Sequence, residues 1–351
     1  MAGVTISDLA NAFKDNYSSV ITDAIVNFGP ASKQLLPAQS LIGLLSLHGR
    51  IRVVSPEESD AGRYAKIWDV HSASGSATAY SANETYAAAA AETLNVAQLD
   101  WKRNHIKLSI DELARLLARG PNFVSGSGFS FEFMAKYRSL VSSIEKQLAG
   151  DGTGTFGKEI TGFQAFLTDS NTSYAGINMT TSAYWQASEL DGGAADLDTS
   201  MIDELMRNMD IKGCRPEAFA CGTTQYQKLR NSLGTYAQYM PQASGSGEIM
   251  TSVLSYEGIP IYRINTLNDS TRANNEFWAL SLSEIELLML SQDAKDPGVE
   301  SETDNQMGTP IGMKKIREDN DNNTIVLRNY AQLVCANPAK QGVIYNLKTT
   351  F

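Results

Sequence analysis

Length, composition and charge narrow the classes of protein to which the chain can belong. Its 351 residues, 42% of them hydrophobic and 19% charged, suffice for the cores of two or three domains and are unlike a disordered chain. The net charge of −10 argues against a basic nucleic-acid-binding surface, because clustered Lys and Arg make most phosphate contacts.

The cysteines and the hydropathy pattern exclude further classes. Cys214, Cys221 and Cys335 show no metal-ligand spacing and leave one cysteine over, which argues against a metal site and a disulfide framework. The opening residues lack the basic start and apolar core of a signal peptide, and no stretch approaches about 18 consecutive apolar residues. We therefore expect no export and no membrane span.

The first 54 residues predict an N-terminal arm. An interrupted amphipathic helix over Ile6–Phe28 ends at Gly29-Pro30, which breaks the pattern. Leu41–Leu47 is apolar enough to dock on another surface. Either the chain's own domain or a neighbouring subunit can supply that surface.

The next stretch predicts a long hairpin. Ile51–Val54 and Tyr64–Val70 have the β-branched and aromatic content of strands, and Leu94–Trp101 is the stretch that returns to pair with them. Before the returning stretch lie small polar residues and a run of alanines at 87–91. Because a two-stranded ribbon is only marginally stable alone, another surface must cover it.

A short strand and a helix are predicted after the hairpin. Ile106, Leu108 and Ile110 alternate with polar residues, as in a half-buried strand. Ser109–Glu112 has the spacing of a capping box, which predicts a helix that ends near Gly120.

A long amphipathic helix is predicted over about 130–149. Its apolar residues share one face and are Phe133, Met134, Tyr137, Leu140, Val141, Ile144 and Leu148. Ser127 or Ser130 can cap its N-terminus. Gly150 follows the last apolar position, where a left-handed residue commonly ends a helix.

The remainder of the chain has a mixed helix and strand pattern. Met201, Met206 and Met209 lie on the apolar face of a helix that Asp198 or Thr199 can cap. The stretches that read as strands are Glu217–Gly222, Tyr256–Ile264, Phe277–Leu282, Ile285–Leu290, Thr324–Ala336 and Gly342–Leu347.

Three motifs follow the long helix in close succession. They are the turn Gly150-Asp-Gly-Thr-Gly154, the segment Ile160-Thr-Gly-Phe-Gln164, and the segment from Tyr174-Ala-Gly176 through Trp185. In this order and spacing they resemble the major capsid proteins of tailed bacteriophages, which share the Hong Kong 97-type fold. A Trp-Lys pair at 101–102 before the strand, and a Glu-Gly-Ile-Pro-Ile strand at 257–261, fit the same family.

The resemblance implies an α+β Hong Kong 97-type capsid fold. Its parts would be an N-terminal arm (1–54), an extended β-hairpin loop across the neighbouring subunit (55–103), a peripheral domain with the long spine helix (104–166 and 319–351) and an axial domain (167–318). The positions to which we assign an assembly or structural role are Trp101, Tyr137, Leu140, Ile144, Gly150, Asp151, Gly152, Thr153, Gly154, Gly162, Gly176, Trp185, Gly258 and Pro260.

No motif for catalysis or cofactor binding is complete in the sequence. Gly152–Lys158 matches a P-loop only in part, because Glu159 stands where Mg²⁺ needs Ser or Thr and a helix precedes the motif. Asp319–Asn323 lacks the later positions of a calcium loop. His48, His71 and His105 have no partner at ligand spacing. We therefore predict no enzyme, no metal and no cofactor.

The predicted function is that of a major capsid protein that forms pentamers and hexamers of an icosahedral phage head. It would enclose double-stranded DNA without sequence-specific binding, join portal and scaffold or decoration proteins, and belong to the virion after assembly in the host cytoplasm. The alternative within the same fold is an encapsulin-like nanocompartment shell. An adhesive β-rich surface protein explains neither the long helix nor the absent export signal, and an enzyme has little support.

Overall fold

A computed structural model describes ten segments of the chain: 40–55, 64–71, 94–111, 127–168, 173–233, 238–242, 251–268, 273–291, 311–317 and 322–350. The helices predicted over 6–28 and up to Gly120 lie outside these residues, as do the hairpin tip and residues 319–321 of the calcium-like loop.

The described helices are α1 (Leu41–Leu47), α2 (Ser127–Ala149), α3 (Gln164–Leu167), α4 (Thr199–Ile211) and α5 (Thr223–Leu233). The strands are β1 (Ile51–Val54), β2 (Tyr64–His71), β3 (Leu94–Asp100), β4 (Lys102–Asp111), β5 (Ser173–Tyr174), β6 (Ile177–Asn178), β7 (Ser188–Asp191), β8 (Ala218–Cys221), β9 (Gln238–Gln242), β10 (Thr251–Tyr256), β11 (Ile259–Arg263), β12 (Phe277–Leu280), β13 (Ile285–Leu290), β14 (Ile311–Arg317), β15 (Asn322–Cys335) and β16 (Gly342–Tyr345). Single 3-10 turns lie at 183–185, 266–268, 273–275, 282–284 and 338–340.

The long helix α2 confirms the amphipathic pattern. Its 23 residues begin at Ser127, so Ser130 lies inside the helix and cannot cap it. The apolar residues from position 137 onward are all buried, namely Tyr137, Leu140, Val141, Ile144 and Leu148. Each buried aliphatic side chain of this kind contributes about 1.5–3 kcal/mol relative to an exposed one.

A five-stranded sheet packs beside α2. Strand β15 is its centre: β4 pairs along one edge, while β14 and β13 share the other, and β1 joins β13 in parallel. Strand β4 extends to Asp111, and Ser109 pairs with Thr324 within it. The predicted capping box at Ser109 is therefore wrong, because this backbone belongs to the sheet ladder.

A mixed seven-stranded sheet forms the second layer, in the order β7-β16-β12-β8-β11-β10-β9. Helix α4 packs on β7 and β16, and Asp198 caps it by accepting a hydrogen bond from the Thr199 N–H (2.7 Å). Met206 and Met209 lie in the core below, as predicted. The rings of Phe163 and Trp278 stack with centroids 5.4 Å apart, which links this sheet to the core around α2.

Two strands pair with strands that lie in a different predicted domain range. β16 was placed with the peripheral range 319–351, yet it pairs with β7 and β12 in the seven-stranded sheet. A Cβ at Gly342 would lie 2.7 Å from the Met209 sulfur, so the glycine lets α4 approach this strand closely. β1, from the arm range, pairs with β13 from the axial range. The domain boundaries themselves stay a prediction.

Candidate functional site

The predicted hairpin is present, and its two faces differ. β2 and β3 pair antiparallel, with Trp68 opposite Ala97 and a register shift between Tyr64 and Lys66. On the inner face, the Trp68 indole N–H donates to the Ala336 carbonyl oxygen (3.3 Å). The Lys66 ammonium lies 3.4 Å from the Glu286 carboxylate. The chain itself therefore covers the inner face.

The outer face of the hairpin carries an apolar strip open to solvent. Ile67, Leu94 and Val96 are 44%, 52% and 52% exposed. They alternate along the strands with the inward residues Trp68, Val70, Asn95 and Ala97, as the pleat requires. A two-stranded ribbon with one apolar face uncovered has surface left for a further contact.

The glycine turn after α2 reverses the chain tightly. Gly150 does not have a left-handed backbone, so that prediction is wrong; the left-handed residue is Gly152, with φ of +81°. A Cβ on Gly152 would lie 2.8 Å from the Thr161 Cα, and one on Gly162 would lie 2.3 Å from the Leu148 carbonyl oxygen. Both positions thus require glycine because two backbones meet there.

The next residues form a braced left-handed turn, Gly154–Gly157. Thr155 and Phe156 have φ of 47° and 59°, a conformation that side-chain-bearing residues seldom adopt. The Thr155 hydroxyl donates to the Glu159 carboxylate (2.8 Å), and the Lys102 ammonium donates to the Gly157 carbonyl (2.7 Å). Before the turn, Asp151 Oδ1 accepts from the Thr153 N–H (3.0 Å) and hydroxyl (2.8 Å).

This geometry does not form a P-loop. The turn follows a helix rather than a strand. Lys158 is exposed, and the Glu159 carboxylate lies against the turn where a phosphate would need a cation. The glycines serve to redirect the chain.

The third motif packs between the hairpin and the core. The Trp185 indole N–H donates to the Tyr174 carbonyl (3.2 Å), and the Tyr174 hydroxyl accepts from the Cys335 N–H (2.8 Å). Burial raises the pKa of Tyr174 well above its ordinary value. The Gln98 N–H of β3 donates to the Ala175 carbonyl (3.0 Å), which ties the hairpin to the β5–β6 turn at Gly176.

A cleft of about 430 Å³ lies where these parts meet. Its lining comes from the hairpin root, the glycine turn and the β5–β6 turn, and includes Asp100, Lys102, Asp151, Thr153, Thr161 and Gly176. The structure thus brings the residues of three sequence motifs to one place. Trp101, which stands between Asp100 and Lys102 in the sequence, is half-buried and packs against the main hydrophobic core. Gly258 and Pro260 lie apart from the cleft lining, at the β10–β11 turn and in β11.

Sequence reasoning missed a buried carboxylate on α2. Glu145 accepts hydrogen bonds from the backbone N–H groups of Leu41 and Ile42 (3.0 Å for Ile42) and from the Thr266 hydroxyl (3.1 Å). It therefore holds the start of α1, the first described element of the chain, against the long helix. Burial raises the pKa of Glu145 despite these bonds. The signal was a Glu four residues after Val141 on the apolar face.

Catalytic groups do not gather in the part of the chain that the structure describes. No three His, Cys, Asp or Glu side chains there are placed to hold a metal ion. Burial raises the pKa of the Cys221 and Cys335 thiols and lowers that of His48, while His71 and His105 are exposed. No described helix has the length and hydropathy needed to cross a membrane.

Comparison with known proteins gives matches in structure alone. No protein-family model and no curated protein sequence matches the chain. A chain of the cyanophage A-1(L) capsid asymmetric unit superposes with a TM-score of 0.64 at 15% identity, over 90% of this chain and 95% of that one.

The chain has the Hong Kong 97-type capsid fold. Two further structures share the fold. The SrpI encapsulin from Synechococcus elongatus PCC 7942 matches with a TM-score of 0.54 at 9% identity, over 86% of each chain. A capsid chain of a native GTA particle matches with a TM-score of 0.52 at 11% identity, over 89% of this chain and 90% of that one.

Proposed function

We propose that this protein is the major capsid protein of a tailed double-stranded DNA phage. It assembles into pentamers and hexamers of an icosahedral head and belongs to the virion. The observation that carries the proposal is the match to the cyanophage A-1(L) capsid chain across nearly the whole of both chains. In this proposal 167–318 surrounds the ring axis, and 104–166 with 319–351 forms the rim.

Contacts between copies, rather than catalysis, perform this function. Closed rings require head-to-tail contacts between two different surfaces of the same chain. The hairpin supplies one such surface. Trp68 and Lys66 on its inner face contact Ala336 and Glu286 of the same chain, whereas its outer apolar strip is exposed to solvent. Interfaces of this kind combine an apolar centre with a polar rim.

The charge balance suits a container for DNA. With a net charge of −10, the chain lacks the excess of Lys and Arg that would grip phosphates across the inner wall. Packaged DNA would therefore stay free to move during filling and ejection. The partners in this proposal are further copies of the chain, a portal, and scaffold or decoration proteins.

An encapsulin-like shell that encloses a protein cargo is the second candidate. The match to the SrpI encapsulin, over 86% of both chains, is the observation that favours it. The two candidates differ in what the particles contain. Phage capsids purified from the native source would hold DNA that resists added nuclease. Encapsulin-like shells would hold a cargo protein instead.

Removing residues 72–84 from the hairpin tests the role in assembly. Size-exclusion chromatography of wild type should show a species far larger than one chain, and the deletion variant should shift to small species. The variant's circular dichroism and unfolding temperature serve as controls for folding. A deletion variant that assembles as well as wild type would contradict a role of residues 72–84 in the proposed assembly.

A further inference from the structure

Phe156 is a large apolar side chain set almost wholly in solvent. It is 97% exposed and stands on the left-handed turn Gly154–Gly157. A strained backbone persists only where surrounding contacts hold it, and such sites are frequently functional. Here those contacts are the Thr155–Glu159 and Lys102–Gly157 hydrogen bonds. The turn thus presents one exposed aromatic ring on a hydrogen-bonded loop.

The same chain carries a complementary apolar surface. Ile67, Leu94 and Val96 form the open strip on the outer face of the hairpin. Because Phe156 and the strip are both exposed, they do not cover each other within one chain. Two different surfaces that become covered only when two copies meet give a head-to-tail contact, and contacts of this kind close rings.

The charges beside the two surfaces also match. Lys158, two residues after Phe156, is exposed. Asp69 lies opposite Val96 in the hairpin register and is exposed on the same outer face. A basic residue two positions from Phe156 and an acidic residue opposite Val96 favour one orientation of the contact.

We infer that Phe156 of one copy packs on the outer hairpin strip of a second copy, with Lys158 beside Asp69. This inference rests on the proposed shell function and identifies the two surfaces that meet. An exposed aromatic side chain is of the residue type that dominates interface energetics.

Site-directed cross-linking tests the pairing directly. The native cysteines Cys214, Cys221 and Cys335 are buried, so introduced thiols are the reactive ones. Assembled F156C/V96C protein, treated with oxidant or a short bis-maleimide linker, should give a ladder of covalent oligomers on denaturing gels. The matched control is F156C/I211C, since Ile211 is 78% exposed on α4 and lies outside the inferred contact.

Each outcome of this experiment separates the two proposals. F156C/V96C protein that assembles, as observed by microscopy, and gives no ladder overturns the inference and leaves the proposed function standing. A wild type that does not assemble under any condition overturns both. A covalent dimer from F156C alone shows that Phe156 meets its own copy and overturns the hairpin as its partner, as does a ladder from F156C/I211C equal to that from F156C/V96C.

Two further variants measure the contact without thiols. F156A should raise the protein concentration needed for assembly by about tenfold or more, with an unchanged unfolding temperature because the ring is exposed. K158E should weaken assembly, and D69K in the same chain should restore it. Failure of D69K to restore assembly would contradict the placement of Lys158 beside Asp69.

Discussion

The buried carboxylate of Glu145 should be a main attachment of α1 to the long helix. Replacing it with alanine removes the acceptor for the N–H groups of Leu41 and Ile42 and for the Thr266 hydroxyl. The Thr266 side chain is half-buried and partly open to water, but the two backbone donors stay buried within α1.

The expected loss of unfolding free energy follows from the two backbone N–H donors that E145A leaves without an acceptor. Each buried, unsatisfied backbone donor costs about 1–3 kcal/mol, so E145A should lower the free energy of unfolding by about 2–6 kcal/mol. The substitution also removes the desolvation cost of burying the carboxylate, which stabilises the variant. The loss of unfolding free energy should therefore lie in the lower half of that range. E145Q retains one acceptor oxygen and should cost about half as much.

Guanidinium unfolding of unassembled protein, followed by tryptophan fluorescence, measures this difference. Hydrogen exchange at Leu41 and Ile42 supplies a local readout and should accelerate in E145A. S142A is the matched control, because Ser142 is exposed on the same helix. An E145A variant within about 0.5 kcal/mol of wild type, the scatter of neutral surface substitutions, would refute the reasoning.

Two other predictions concern the same region. G162A should lower the free energy of unfolding by about 3 kcal/mol or more, at the upper end of the cost of overpacking, since its Cβ would lie 2.3 Å from the Leu148 carbonyl oxygen. G176A, which meets no atom within 4 Å but has φ of +84°, should cost only the backbone strain of about 1–2 kcal/mol; equal values for the two would contradict the close approach. Burial raises the folded-state pKa of Glu145 above its ordinary 4.5. The folded state therefore binds a proton at higher pH than the unfolded state, and stability relative to E145Q should rise as pH falls toward 4.5. A difference that shrinks over that interval would contradict the direction.

Local sequence patterns predicted the elements that depend on local interactions. The apolar period of α2 and the strand character of Thr324–Ala336 are visible in the residues themselves, and the structure confirms both. The first hairpin strand followed from its β-branched and aromatic content, and the second was predicted as the stretch that returns to it. The motif order around Gly150 and Tyr174 indicated the fold, which structural comparison then showed.

Errors arose where distant segments decide the outcome. Ser109 has the spacing of a helix cap, but pairing with Thr324 keeps it in a strand. Gly150 follows the last apolar position, yet the left-handed turn falls on Gly152 because Thr161 returns there. The cleft combines the hairpin root with two later turns, and no single stretch of sequence contains that arrangement.

The most direct test of the central claim is negative-stain electron microscopy of the purified protein at high concentration, with and without co-expression of the genes that neighbour its own. Closed shells, tubes or five- and six-membered rings are the expected result. A protein that remains monomeric under both conditions would contradict its assignment as a shell-forming subunit.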